Sequence, residues 1–338
     1  MKRFESMNFP SIFRQMWLLM VAVLTVIIGV SAPAQNAQVI VGAQSTDEGK
    51  QALAFLPNEI WIHAGDSIKW NFATGEAHTV TFLKPGQIRP PFQVGCPGIT
   101  ADAASFDGST CVNGGRMTNG QSYTVAFPKT GNFKLVCLIH ADMSGVVHVL
   151  DPSQPLPHDQ DFNDREAKHE GTELLSDASQ LEGRGTAIAS RTSDDQVTAG
   201  IAEIVATTGG GTQASAVLRF LPGEMVIHVG DTVEWTNLGA TVGHTVTFGP
   251  EPADPVNAPP SPNVFVDADG ARHALIGSPA DNVHSGLLRV ALQERVGLAQ
   301  APLGITRFRV TFTQPGVFPY ICALHDDQGM KGQVIVLP

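Results

Sequence analysis

The chain has 338 residues, enough for two domains of roughly 150 residues each. Charged residues make up only 16% of it and hydrophobic residues 43%, so it is not a disordered polyelectrolyte. The 32 acidic residues outnumber the 21 basic ones, and the resulting net charge of −11 argues against a nucleic-acid binder.

The first 34 residues have the layout of a secretory signal peptide. Basic side chains precede an almost wholly apolar stretch over 16–30, and small residues follow at Ala32 and Ala34. The apolar stretch is shorter than the ~20 residues that span a bilayer, which favours cleavage over a retained anchor. We therefore expect export to the periplasm or the extracellular space, with a membrane association only if segment 1–34 is retained.

The rest of the chain is a tandem duplication. Three blocks occur in the same order in both copies: FLPNEIWIHAGDSIKW at 55–70 and FLPGEMVIHVGDTVEW at 220–235, HTVTF at 78–82 and 244–248, and YTVAFPKTGNFKLVCLIH at 123–140 and FRVTFTQPGVFPYICALH at 308–325. We predict a first domain over 38–150, a linker over 151–196 and a second domain over 197–338.

Apolar and other side chains alternate within each copy, which is typical of half-buried strands. Ile60 and Ile62 alternate with Trp61 and His63, and the second copy repeats the pattern over 225–229. Glycine-aspartate pairs then mark turns. Short strands separated by turns predict an all-β chain with one β-sandwich per copy.

The linker differs in composition from both copies, being rich in Asp, Glu, Ser and Pro. Within it the sequence predicts one short amphipathic helix that carries Leu174, Ala178 and Leu181 and ends near Gly183. We interpret this acidic segment as a connector without a chemical role.

Each copy carries the same four kinds of metal ligand in the same order. The sets are His78, Cys137, His140 and Met143 in the first copy, and His244, Cys322, His325 and Met330 in the second. Two imidazoles and one thiolate with an axial thioether are the ligands of a blue-copper electron-transfer site. Zinc is the weaker alternative, because structural zinc sites use cysteine and histidine alone.

On these motifs the chain resembles the cupredoxins, the family of plastocyanin, amicyanin and pseudoazurin. The loop CLIHADM has the short spacing of amicyanin, and YICALHDDQGMKGQVIV has the spacing of plastocyanin and pseudoazurin. The resemblance covers both copies, except for the long middle segments 83–122 and 249–307. It implies two Greek-key β-sandwiches, each holding one type 1 copper ion through the four ligands named above.

The sequence therefore predicts an exported electron carrier with two copper ions. His140 and His325 lie in loops, so we expect them at the surface as exits for the electron. The acidic charge predicts a basic redox partner, such as a cytochrome, that docks transiently.

Two alternatives use the same ligands. One is a copper carrier or buffer without electron transfer. The other is a two-domain copper oxidase or nitrite reductase, which resembles this chain in joining two such domains. Those enzymes need a histidine beside the cysteine ligand to reach a second copper centre. Here the neighbours are Val136 and Leu138 in one copy, and Ile321 and Ala323 in the other, so we expect no enzyme.

The two remaining cysteines, Cys96 and Cys111, both lie in the middle segment of the first copy. In an exported protein a disulfide between them is the ordinary interpretation, and a redox switch is the alternative. His63 and His228 occupy equivalent positions on the polar side of a strand, where we expect them at the surface.

Overall fold

A computed structural model describes residues 35–90, 92, 96, 100–140, 142–192, 195–239, 242–289 and 304–338. The predicted signal peptide, 1–34, lies outside the described residues. Among the residues that are described, no helix combines the length and the apolar character needed to cross a membrane.

The chain is mostly β, as predicted, with one helix between the copies. The strands of the first copy are β1 (Asn36–Gln44), β2 (Lys50–Leu56), β3 (Glu59–His63), β4 (Ser67–Phe72), β5 (Thr81–Phe82), β6 (Ala104–Ser105), β7 (Val112–Asn113), β8 (Ser122–Ala126), β9 (Gly131–Val136) and β10 (Ser144–Leu150). Helix α1 (Gln160–Thr192) follows. The strands of the second copy are β11 (Gln196–Ala206), β12 (Thr212–Leu221), β13 (Glu224–His228), β14 (Thr232–Leu238), β15 (Thr247–Phe248), β16 (Phe265–Val266), β17 (Arg272–Ile276), β18 (Val283–His284), β19 (Arg307–Phe312), β20 (Gly316–Ile321) and β21 (Lys331–Leu337).

Each copy is a two-layer sandwich with Greek-key connections. One layer of the first copy contains β1, β2, β4, β6 and β8, and the other contains β3, β5, β7, β9 and β10. Both layers mix parallel and antiparallel pairs, since β1 pairs parallel with β4 and β3 pairs parallel with β10. In β3 and β4 every second residue is buried, as the sequence pattern requires. The second copy repeats this arrangement.

The cores of the two sandwiches are equivalent. Trp70 and Trp235 are both fully buried, and each packs against the phenylalanine that ends its HTVTF block. The ring centres are 5.6 Å apart for Trp70 and Phe82, and 5.8 Å apart for Trp235 and Phe248. Large buried aromatic side chains of this kind dominate the stabilisation of such a core.

One sheet runs through both copies. β2 pairs antiparallel with β12, so that Leu53 lies opposite Ala214 and Ala52 opposite Ser215. Arg219 reinforces this junction, donating to Asp47 O at 2.6 Å and to Gln328 O at 2.6 Å. Backbone hydrogen bonds therefore fix one copy against the other.

Helix α1 packs across this junction and is longer than the sequence predicted. Its first turn is capped by Asp159, whose carboxylate accepts from the N–H of Phe162 at 2.8 Å. Leu174 is buried against the first copy, whereas Leu181 is buried against the second.

The predicted end of α1 near Gly183 is wrong, because the helix continues to Thr192. Gly183 suggested a helix stop. Gly185 instead allows a close approach of the helix to the second copy, since a Cβ there would lie 2.9 Å from Leu221 Cδ1. Its carbonyl accepts from Thr198 Oγ1 at 3.1 Å.

Candidate metal centres

In the first copy, three of the predicted ligands meet at one end of the sandwich. His78 precedes β5, while Cys137 and His140 follow β9, and all three side chains are buried. The Nδ1 atoms of His78 and His140 are 3.2 Å apart, and Cys137 Sγ lies 3.8 Å from His140 Nδ1. Met143 is buried in the same loop, where its carbonyl accepts from Cys137 N at 3.0 Å.

The second copy repeats this geometry. The Nδ1 atoms of His244 and His325 are again 3.2 Å apart. Cys322 Sγ lies 3.4 Å from His325 Nδ1 and 3.8 Å from His244 Nδ1. Met330 is fully buried, and its carbonyl accepts from Cys322 N at 3.0 Å. Within the described residues, these are the two groups of three or more histidine, cysteine or acidic side chains whose donor atoms converge within 4.8 Å.

The donor atoms suit copper. In each copy two imidazole nitrogens and one sulfur point at a common centre in a buried place, and a metal ion is the partner that satisfies all three at once. A buried methionine in the same loop would supply the thioether that blue-copper sites use as a further ligand.

The surroundings of both sulfurs favour the thiolate form. Burial alone would raise the pKa of Cys137, but the hydrogen bonds and charges of His140 and His78 hold it well below its usual range. Burial likewise opposes ionisation of Cys322, and the charges of His325 and His244 again outweigh it, so its pKa is also lowered. The thiolate is the form of cysteine that binds a metal.

Each HTVTF block donates an equivalent backbone hydrogen bond to the cysteine sulfur of its own copy. The backbone N–H of Thr79 donates to Cys137 Sγ at 3.4 Å, and that of Thr245 donates to Cys322 Sγ at 3.3 Å. The Thr79 hydroxyl accepts from Leu138 N at 2.7 Å. Such contacts orient ligands, and they explain why threonine follows histidine in both copies.

Two glycines beside the first histidine of each set are site residues that the sequence reasoning missed. Gly42 and Gly200 both have a positive φ, +75° and +77°, at a bulge of β1 and β11 respectively. A Cβ on Gly42 would lie 3.1 Å from His78 Nε2, and one on Gly200 would lie 2.0 Å from His244 Nε2. Gly42 lies 13 residues ahead of its FLP block and Gly200 lies 20 residues ahead of the other, so the alignment of the repeats gave no signal for this pair.

Glu76 is the second feature missed. This glutamate is buried between the two copies, with one oxygen 3.1 Å from His140 Nε2 and the other 3.3 Å from His325 Nε2. Burial disfavours its carboxylate, but the charges of His325 and His140 and their hydrogen bonds hold the pKa of Glu76 well below its usual range. The second copy has Val242 at the equivalent position, so the repeat itself gave no signal.

The expectation that His140 and His325 lie at the surface is wrong. They are only 2% and 3% exposed, because each copy covers the histidine of the other. A cavity of about 670 Å³ lies beside them, lined by both histidines, Glu76, apolar side chains and the arginines Arg89, Arg116 and Arg289. Access to the two histidines therefore runs through the space between the copies.

The predicted disulfide between Cys96 and Cys111 is present in the first copy. His63 and His228 lie on the outer side of β3 and β13, where His63 Nε2 is 2.8 Å from Gln154 O and His228 is exposed.

A family model for copper binding proteins of the plastocyanin/azurin family matches this chain twice, over 42–150 and 206–337. The chain belongs to this family. It therefore consists of two copper-binding cupredoxin domains in tandem.

Amicyanins are among the solved structures to which the chain is similar. Amicyanin from Paracoccus versutus is 24% identical over 36% of this chain and 86% of its own, with a TM-score of 0.23. A reduced amicyanin variant is 20% identical over 34% of this chain and 82% of its own, also with a TM-score of 0.23. Among curated proteins, none matches the chain.

Proposed function

We propose that this protein is an exported electron carrier with two type 1 copper sites, one in each domain. The observation that carries the proposal is the repeated group of two histidines and one cysteine whose donor atoms converge in both copies, with a buried methionine in the same loop. His78, Cys137, His140 and Met143 would hold one copper ion, and His244, Cys322, His325 and Met330 the other. Bound copper supplies reversible one-electron chemistry between Cu(II) and Cu(I).

The polypeptide contributes a rigid and dry environment for this chemistry. Each cysteine directly follows a strand, and backbone N–H groups fix both sulfurs. Buried ligands that move little when the charge of the site changes keep the barrier to electron transfer low. Burial also keeps water away from the donor atoms, as each ligand histidine is at most 3% exposed.

Electron transfer is favoured over catalysis because neither cysteine has a neighbouring histidine that would lead to a second kind of copper centre. It is favoured over simple copper storage because each copy supplies all four ligands. A basic protein, such as a small cytochrome, is the proposed redox partner, since the acidic chain would attract it. We propose cleavage of residues 1–34 and export as the setting.

The test is to load the mature protein with copper and to measure metal stoichiometry and visible absorption. We expect two copper ions per chain and the intense thiolate-to-copper absorption of blue sites. Cys137→Ser and Cys322→Ser should each remove about half of this absorption. A variant that kept the full absorption would disprove the assignment for its copy.

Electron exchange is tested separately, with a small basic cytochrome at increasing ionic strength. The exchange should be fast at low salt and should slow as salt is added, because charges are screened over about 10 Å at 0.1 M. Protein that binds two copper ions but exchanges no electrons would instead be a copper carrier. Nitrite reduction or oxygen-dependent phenol oxidation above a free-copper control would overturn the carrier proposal in favour of an enzyme.

A further inference from the structure

Glu76 connects the two metal centres directly. Its Oε1 lies 3.1 Å from His140 Nε2 and its Oε2 lies 3.3 Å from His325 Nε2, so each carboxylate oxygen serves a different copy. In both imidazoles the other nitrogen, Nδ1, faces the cysteine of its own centre. Each ring therefore turns one nitrogen to its metal centre and donates from the other to the same glutamate.

The three side chains of the connection are almost fully buried, although all three line the cavity between the copies. The side chains of His140 and His325 are 2% and 4% exposed, and that of Glu76 is 8% exposed. Burying a carboxylate is unfavourable unless it is well hydrogen-bonded. Here two N–H groups donate to it, and hydrogen bonds to a charged acceptor are the stronger kind.

The duplication makes this arrangement unsymmetrical. Glu76 lies two residues before His78, and Val242 takes that place before His244. A glutamate in both copies would put a second carboxylate near the first in a buried space, and repulsion between them would be costly. One glutamate between two facing histidines serves both centres.

Hydrogen bonds on the outer nitrogen of a ligand histidine set the electron density that the ring offers to its metal. A carboxylate shared by two ligand histidines therefore makes each centre sensitive to the charge on the other. It also forms a continuous hydrogen-bonded route from one imidazole to the next, through N···O distances of 3.1 and 3.3 Å.

We propose that Glu76 couples the two copper sites, so that an electron received by one passes to the other through His140, the Glu76 carboxylate and His325. This rests on the proposed function. The step is balanced within the chain: one site is oxidised as the other is reduced, His140 and His325 keep their Nε2 protons, and Glu76 stays ionised.

A second consequence concerns potentials. Oxidation of one site strengthens the hydrogen bond from its histidine and draws the shared negative charge toward it. The other site is then less stabilised in its oxidised form, so its midpoint potential rises. Because coupling is reciprocal, the shift is the same whichever site is oxidised first.

The test compares the unmodified two-copper protein with Glu76→Gln and Glu76→Ala. Glutamine faces one histidine with an N–H instead of an oxygen, which breaks one of the two bonds, and alanine removes both. Glu251→Gln is the matched control, since it removes a charge near the second copper loop from an exposed side chain that lines neither centre. Copper content and visible spectra show whether each variant keeps both sites.

The rate of electron redistribution is measured after a pulse of reductant that delivers less than one electron per chain. The spectra of the Cys137→Ser and Cys322→Ser proteins identify the contribution of each site. We expect redistribution to slow at least tenfold in Glu76→Gln and further in Glu76→Ala, and to be unchanged in Glu251→Gln. Unchanged redistribution in both Glu76 variants, with both coppers bound, would overturn the proposal.

Midpoint potentials give a readout that a structural role would not move. In the unmodified protein, the electron affinity of one site should differ at least tenfold between the oxidised and reduced states of the other, which is about 59 mV for one electron. The difference should shrink in Glu76→Gln. A difference of the same size in both proteins would count against the carboxylate as the link.

If the variants fail to fold, the unmodified protein still tests whether electrons pass between the two sites of one chain. Redistribution within one chain must be independent of protein concentration, whereas exchange between molecules is proportional to it. Redistribution that occurs only between molecules would overturn the coupling. If neither site is blue or accepts an electron, the proposed function itself fails. If both sites are blue and accept electrons but redistribution is the same in the Glu76 variants, only the coupling fails.

Discussion

The two copies hold the same ligands in loops of different length. Two residues separate His140 from Met143, and Met143 N donates to His140 O at 3.2 Å. Four residues separate His325 from Met330, and the longer loop needs extra turns and a positive φ of +84° at Gly329. Yet the Nδ1 atoms of the histidine pair are 3.2 Å apart in both. The strands therefore set the positions of the histidines, and the loop length is free to vary.

The copies differ more in what surrounds this frame. The first has a disulfide in its middle segment and supplies Glu76, whereas the second has a longer loop and Val242. Features common to both copies position the ligands. Features found in only one copy stabilise that copy or connect it to the other.

The largest effect is expected from the glycine beneath His244. In Gly200→Ala the new Cβ would lie 2.0 Å from His244 Nε2, so the ring must move away from its centre. We expect copper to be lost from the second site, leaving one ion per chain. Gly42→Ala should keep both ions, because the closest atoms to its Cβ belong to the Thr74 side chain, at 2.8 and 2.9 Å, and His78 Nε2 is farther away, at 3.1 Å. Copper analysis and visible absorption measure both outcomes.

Gly230→Ala is the control for backbone strain. Gly230 also has a positive φ, +94°, but a Cβ at this position of the second copy would have no atom within 4 Å. Alanine there should lower stability by about 1 kcal/mol or more without loss of copper. Equal copper loss in Gly230→Ala and Gly200→Ala would show that strain, not the contact with His244, is responsible.

The disulfide tests whether stabilisation is confined to one copy. Replacing Cys96 and Cys111 together by alanine removes a link across 15 residues and should lower the free energy of unfolding by about 3 kcal/mol. The second site should keep its copper and its spectrum. Urea unfolding gives the free energy. A loss of the second site in this variant would contradict the confinement of the effect to the first copy.

The different lengths of the two histidine–methionine loops predict a different midpoint potential for each copper site. The different spacing between histidine and methionine changes how the thioether meets the copper, and the axial ligand tunes the potential of a blue-copper site. A redox titration of the two-copper protein should resolve two steps. Cys137→Ser and Cys322→Ser assign each step to its copy. One common midpoint in the single-site proteins would mean that loop length has no influence.

The fold and the convergence of the histidine and cysteine side chains could be predicted because both copies carry the same strand pattern and the same motif. Alternating residues gave the strands, and the repeated spacing around Cys137 and Cys322 gave the two ligand sets. Glu76 could not be predicted from its own copy, because its role depends on His325 in the other one. The burial of both downstream histidines escaped prediction for the same reason, since it arises from the pairing of β2 with β12.

The end of helix α1 was misjudged for a different physical reason. Glycine usually disfavours a helix, but the cost of about 1 kcal/mol is small against the packing of a long apolar face. Leu174, Ala178 and Leu181 carry that face across both copies. Local preference therefore gave way to tertiary contacts, which a single sequence does not show.

The smallest effect concerns the contact between α1 and the first copy. Burial raises the pKa of Glu170 from 4.5 to about 7, and the negative charges of Glu166 and Glu173 add to this, although Asn58 N donates to its carboxylate at 3.0 Å. Because the pKa is higher in the folded state, the protein loses stability as pH rises from about 4.5 through about 7. Glutamine keeps the acceptor for Asn58 and cannot ionise. Glu170→Gln should therefore match the unmodified protein at pH 4 and be more stable at pH 8, by about 1–2 kcal/mol since the side chain is only half-buried. Urea unfolding across this pH range measures the difference. A constant difference at every pH would show that the effect comes from shape or hydrogen bonding and not from the charge of Glu170.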